Sequence, residues 1–399
     1  AVPRGSVAAT IAAQHRSHAS SFRVLYRFAG SPDGAIPLAD LINVNGTLYG
    51  STSEGGRSGC GYGLGCGTVY SITTTGSERV RHNFSGDRDG ALPYAALINV
   101  KDTLYGTTRY GGGSGGSQNL GFGTIYRTSV SGSEKVLYRF TIYSNGTQPF
   151  AGLTNVNDTL YGTTAYGGPS GNGAVFRISA TGVEKVLHLF TGSPDGSFPY
   201  SGLINVKGIL YGTTWGGGTG CKGSGGCGTV YSISTNGMEK VLYSFAGGSD
   251  GLNPYAKLIN VKGTLYGTTD ASPECYSGGG ECGTVFSVTT SGVEKVLHHF
   301  GRGSDGRGPY AGLIDVKGVL YGTTLRGGST GCGFGCGTVY TVTTSGIEKV
   351  LHHFSGGSDG WFLQAGLIDV KGTLYGTTSF GGKSGCGSGT CGTVFALSP

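Results

Sequence analysis

Carboxylates, imidazoles, thiols and aromatic rings are the groups that could do chemistry in this chain, and most of them recur at a fixed spacing. One column reads Asn43, Asn99, Asn155, Asn205, Asn260, Asp315, Asp369. Its two carboxylates, Asp315 and Asp369, belong to consecutive repeats and are the catalytic candidates if they flank a central channel. A carboxyl pair can act as general acid and base on a glycosidic bond when its separation suits the task. A second column is always Tyr or His: Tyr26, His82, Tyr138, His188, Tyr243, His298 and His352. Seven copies of one choice point to packing with a polar tip rather than to a catalytic imidazole. A third column, Asp33, Asp89, Asn145, Asp195, Asp250, Asp305 and Asp359, is followed by Gly each time, as residues that cap their own turns are. One carboxylate per turn is too few for a calcium sphere. No metal and no cofactor are expected.

The ten cysteines come as local pairs: Cys60 with Cys66, Cys221 with Cys227, Cys275 with Cys282, Cys332 with Cys336, and Cys386 with Cys391. Two repeats lack both members together, which is what a bond between the two would produce, so five intra-loop disulfides are expected. A zinc site is disfavoured, because two thiols per repeat cannot supply four ligands and no His recurs beside them. Disulfides imply an oxidising compartment, hence a secreted or cell-surface protein. In a eukaryotic host the sequons at Asn45, Asn83, Asn145 and Asn157 would be glycan acceptors.

Columns that vary between repeats are where one ligand could be recognised. After the Tyr-Gly-Thr-Thr strand they include Glu54, Arg109, Tyr110, Tyr166, Trp215, Asp270, Arg326 and Phe380; before the first strand they include Phe198, Asn253, Arg307, Trp361 and Phe362. Asp40 and Lys257 lie just inside that strand. Both Trp residues of the chain belong to this set. Flat apolar faces mixed with Arg, Asp and Asn suit a sugar, whose ring stacks and whose hydroxyls need planar donors and acceptors.

The element that must position these residues is a repeat. Leu-Tyr-Gly recurs at Leu48, Leu104, Leu160, Leu210, Leu265, Leu320 and Leu374, 50 to 56 residues apart. Each unit reads as four short strands rich in Val, Ile, Leu, Thr and Tyr, separated by Lys-Gly, Asn-Gly, Thr-Gly or Ser-Gly turns. Four antiparallel strands at this period predict a β-propeller blade, so the fold class is all-β with seven blades. Arg23–Phe28 is a lone fourth strand and the final repeat stops after its third, Gly392–Leu397, so the ends close the ring and hide its edges. The long loops share one rim, the candidate binding face. The other rim carries tight turns, including an exposed ring of Lys101, Lys207, Lys262, Lys317 and Lys371.

KVLHHF, the Ser-Asp-Gly turn, AGLIDVKGTLYGTT, the Gly-Gly loop and GTVF together resemble the GloVer tandem repeats of bacterial "choice-of-anchor" surface proteins, over Arg23 to Leu397. The resemblance implies an extracellular repeat protein and supplies no catalytic residues. Unlike anchored members, the chain stops at Ser398-Pro399 with no sorting tail, which implies a released protein, or a tail removed or left out.

Of 399 residues, 82 are Gly, yet 37% are hydrophobic, so the chain can build a core and is neither collagen nor disordered. Val2-Pro-Arg-Gly-Ser6 resembles most of a thrombin site, and residues 1–21 are read as an extension outside the repeats, open between a short helix, a mature N-terminal segment and sequence partly of vector origin; residues 22–399 are read as one propeller domain. The net charge of +6 comes without a dense basic block, which argues against nucleic acid. No apolar run is long enough for a membrane helix. The expectation is a monomer that binds an extracellular carbohydrate. Its rivals are a polysaccharide hydrolase or lyase and a structural surface protein.

Overall fold

The computed structural model describes residues 21–57, 60, 64–113, 121–141, 146–221, 225–270, 282–301, 304–328, 331–333, 335–382, 386 and 390–399. Among them there is no helix. Seven four-stranded antiparallel sheets form the blades. Blade 1 comprises Ile42–Val44, Thr47–Thr52, Thr68–Thr73 and Glu78–Asn83, from the axis outward. Blades 2 to 6 repeat this order, starting at Ile98, Thr154, Ile204, Ile259 and Ile314. Blade 7 has Ile368–Val370, Thr373–Thr378 and Thr393–Ser398 from the end of the chain and Ser21–Arg27 from its beginning, with Ser21 opposite Ser398 and Arg27 opposite Thr393. The ring is closed, as the ends of the sequence require.

The Leu-Tyr-Gly-Thr-Thr signature follows from packing. Gly50 lies opposite Tyr70 in the register of blade 1, and a Cβ there would fall 2.7 Å from the phenol oxygen. The same glycine admits Phe176 in blade 3 and Phe286 in blade 5, so it is retained for the ring it faces. That ring meets, edge to face, the Phe that ends the previous blade's outer strand: Phe28 on Tyr70, Phe84 on Tyr126, and so around to Phe354 on Phe395. Aromatic edge contacts of this kind add about 0.5–1.5 kcal/mol each beyond the area they bury. They occur at every blade junction.

The two threonines have separate tasks. The first reaches the next blade, as Thr163 Oγ1 does to the Ser201 carbonyl at 2.9 Å and Thr323 Oγ1 to Ala365 at 3.0 Å. The second pairs with a Thr on the third strand, at 2.8 Å in Thr52–Thr68 and Thr214–Thr229. The inner hairpins place Asn45, Lys101, Asn157, Lys207, Lys262, Lys317 and Lys371 in the left-handed region, φ 50–55°, followed by Gly in five of the seven. This is the two-residue turn matched to strand twist.

The turn aspartates behave as read. Asp33 Oδ2 accepts from the Ala29 amide at 2.9 Å and from the Tyr26 hydroxyl at 3.0 Å, while His188 Nε2 lies 3.1 Å from Asp195 Oδ2. Tyr26, His82, His188, Tyr243 and His298 each reach the carboxylate of the turn that follows, whereas His352 Nε2 is buried without a hydrogen-bond partner. Glu239 brings a carboxylate from the following blade to His188 and Asp195, all within 4.8 Å. Tyr26 with Asp33 and Glu78 repeats the pattern with a phenol in place of the imidazole, so the arrangement is a blade junction. No helix of the described residues is long and apolar enough to cross a membrane.

Candidate functional site

The long-loop rim is built by pairing two loops of each blade. The loop entering the blade bonds to the loop after its second strand: Gly34–Ala35 to Glu54–Gly55, Gly196–Ser197 to Gly216–Gly217, and by single bridges Ala91 to Tyr110, Thr147 to Tyr166, Arg307 to Arg326 and Trp361 to Phe380. Disulfides Cys60–Cys66, Cys221–Cys227, Cys332–Cys336 and Cys386–Cys391 close the second of these loops. Cys282 is also disulfide-bonded; its expected partner Cys275 lies outside the described residues. A Cβ on Gly86 would stand 2.4 Å from Cys60 Sγ, and one on Gly247 2.6 Å from Cys227 Sγ. The bridges thus pack on the loop that leaves the outer strand and fix the two loops against each other.

Each blade is latched to the one before it through a residue held in the left-handed region. Ile36, Leu92, Gln148, Phe198, Asn253, Gly308 and Phe362 have φ between 54° and 66°. Their amides donate to the previous blade, Ile36 to the Cys391 carbonyl at 2.9 Å and Phe198 to Asn172 at 2.9 Å. Their carbonyls accept from their own blade, Phe198 from the Trp215 amide at 3.0 Å. This backbone costs a non-glycine residue about 1–3 kcal/mol, which the double latch offsets. The latch holds the Phe198 and Phe362 side chains at the rim.

Two aromatic surfaces result. On blades 2 to 4, the Arg109 guanidinium lies 4.3 Å over Phe150, 4.8 Å over Tyr110 and 5.3 Å over Tyr94, and its Nε donates to Gln148 Oε1 at 3.3 Å. Tyr166 and Tyr200 share a hydroxyl hydrogen bond of 2.6 Å, and Phe198 lies 5.4 Å from Tyr166 and 6.3 Å from Trp215. Trp215 is 36% exposed, and its carbonyl accepts from Asn253 Nδ2 at 2.7 Å. On blade 7, Trp361, Phe362 and Phe380 cluster with centroids 4.9–5.7 Å apart, and Arg326 lies 5.0 Å over Phe362. Burial pushes Asp270 up to about 6 against the field of Arg326, so this carboxyl titrates within reach of neutral pH.

Between them opens a central pore of about 340 Å³ whose collar is Tyr94, Phe150, Tyr200, Tyr255 and Tyr310, completed by Leu38 and Gln364. Tyr200 stacks on Tyr255 at 5.0 Å, and Tyr255 on Tyr310 at 4.0 Å. Burial pushes Tyr255 up to about 12 and raises Tyr310 and Tyr200 as well, so all three stay neutral donors. These residues were not singled out from sequence, where an aromatic after Pro in blades 2 to 6 looks like a structural column. The interruptions at Leu38 and Gln364 are the signal that could have drawn attention to it. The structure thus joins Arg109, Tyr110, Tyr166, Phe198 and Trp215 into one surface and Trp361, Phe362 and Arg326 into another; Asp270 and Arg307 flank Arg326.

Asp315 and Asp369 stand exposed on the opposite rim. Each Oδ1 accepts a backbone amide at 3.0 Å, from Gly318 and Gly372, as Asn205 Oδ1 does from Gly208 at 2.9 Å. Their geometry is that of hairpin caps. Of the sequons, Asn45 and Asn157 are exposed in turns, Asn83 is half-buried in a strand, and Asn145 lies outside the described residues.

The fold and rim define a class: a seven-bladed β-propeller with disulfide-stapled loops around a central pore. The model of the Gloeobacter/Verrucomicrobia repeat matches residues 10–225 and 220–395, and the chain belongs to that family. No curated protein matches it. Among solved structures it is similar to a putative 6-phosphogluconolactonase from Bacteroides uniformis, at 12% identity and TM-score 0.50, over 81% of this chain and 86% of that one. It is also similar to a gluconolactonase from Xanthomonas campestris, at 11% identity and TM-score 0.45, over 95% and 89%. At these identities the likeness concerns the propeller fold.

Proposed function

We propose that this is a secreted, monomeric propeller, one domain over residues 22–399, that binds an extracellular carbohydrate on its long-loop face. The observation that carries the reading is the surface of blades 2 to 4. There a part-exposed indole, Trp215, adjoins Phe198 and Tyr200, with Arg109 and the Asn253 amide alongside. Rings give a pyranose a flat apolar face, and the guanidinium and amide give its hydroxyls oriented partners. The disulfides support export to an oxidising compartment, where Asn45 and Asn157 present accessible sequons.

The test is retention on an array of polysaccharides, with the supernatant assayed for released sugar. Retention without release is expected. Trp215→Ala should abolish it on blade 4, or Trp361→Ala on blade 7, with an unchanged melting temperature. Silence on every glycan, or retention indifferent to both substitutions, overturns the reading; release of sugar replaces it with an enzyme.

A further inference from the structure

Two residues break the sevenfold pattern inside the pore. Two residues after the collar and two before each innermost strand, blade 2 has Ala96 and four other blades have Gly152, Gly202, Gly312 and Gly366. Blade 1 has Asp40 and blade 5 has Lys257, and both line the same cavity. Small residues serve this position in five blades, so the fold does not ask for a charge there. Asp40 Oδ1 accepts the Gly366 amide at 2.5 Å, and its second oxygen makes no hydrogen bond among the described residues. The Lys257 ammonium makes no hydrogen bond among the described residues, and no ion pair joins it to Asp40. Protein atoms crowd Lys257 although its side chain is open to water in the pore. That crowding lowers its pKa and raises that of Asp40, each only partly opposed by the other's field.

We propose that the pore binds a small zwitterion, its carboxylate on Lys257, its ammonium on Asp40 and a flat apolar body against the tyrosines above. Opposite charges set apart across one cavity have water, and not each other, as their partner until a ligand bridges them. A lone anion neutralises Lys257 and leaves Asp40 unpaired, a lone cation does the reverse, and a ligand carrying the mirror pair satisfies both. A purely structural pair would be in contact. The cavity is within the size range of small-molecule sites and combines apolar walls with a few convergent polar groups, as such sites do.

The test is calorimetric titration of the intact protein with phenylalanine, 3-phenylpropanoate and phenethylamine, the last two being phenylalanine without its ammonium and without its carboxylate. Phenylalanine should bind on the order of 10-fold or more tighter than either singly charged analogue, the worth of one charge-assisted hydrogen bond. Lys257→Met and Asp40→Asn should each erase that margin, and the exchanged variant Asp40→Lys/Lys257→Asp should recover part of it. Asn keeps an Oδ1 to accept the Gly366 amide; should the Asp40→Asn variant fail to fold all the same, Lys257→Met alone decides. No saturable binding of phenylalanine, equal binding of either analogue, or full binding by Lys257→Met overturns the proposal. Glycan retention is read on Trp215 and Trp361, so the two readings fail separately.

Discussion

Phe22 stacks face to face on His352, with ring centroids 3.9 Å apart and planes 7° from parallel. Phe22 occupies the position that Glu holds at the start of the outer strand in blades 1 to 6. At this one junction, where the two ends of the chain meet, an apolar ring replaces the carboxylate. His352 consequently has burial lowering its pKa and, on that side, no carboxylate to raise it.

Phe22→Glu should therefore move the His352 pKa upward, read by NMR titration of the imidazole. An unmoved titration would break the assignment. In the native protein the folded-state pKa lies below that of the unfolded chain, near 6.5. The unfolded state therefore binds more protons as pH falls through this range, so His352 subtracts stability on the acid side.

The carboxylates at the other junctions act in the opposite sense. Burial, with a nearby turn Asp, raises Glu78, Glu239 and Glu294 to about 7. Their folded-state pKa values exceed the unfolded ones, so their contribution is fully present below about pH 4.5 and is lost as pH rises through about 7. Glu294→Gln should raise the melting temperature at pH 8 relative to the native protein and change it little at pH 4. Scanning calorimetry across that range checks the sign.

Blade 3 lacks one hydrogen bond that six blades have. Its third strand begins with Ala174 where the others have Thr, and Thr164 Oγ1 is buried without a partner. Ala174→Thr should restore the pair and stabilise the protein by about 1 kcal/mol, the usual net worth of such a bond. Chemical denaturation measures it. A loss of stability would mean that the backbone at Ala174 has settled around the smaller residue.

Much of this architecture could be read from the sequence because internal repetition supplies its own comparison. The period of Leu-Tyr-Gly gives the blades, the paired loss of cysteines gives the disulfides, and Arg23–Phe28 gives the closing strand, which runs from Ser21. The site was only half legible. Trp215 and Arg109 stand out because they differ from their counterparts, whereas Tyr255 and Tyr310 escaped because five blades share an aromatic there. Phe198 and Phe362 read as variable contact residues, and their left-handed backbone, which latches neighbouring blades, has no signature in residue type. Asp40 and Lys257 line one cavity from blades 1 and 5, a placement across the ring that no local pattern announces.

The pairing of Ser21–Arg27 with Thr393–Ser398 carries a consequence in time as well as space. The outermost strand of blade 7 is made before the other six blades and its inner three strands after them, so the ring cannot shut until Ser398 has been added. Closure falls to seven residues, Ser21–Arg27, finding six, Thr393–Ser398, from the far side of the chain.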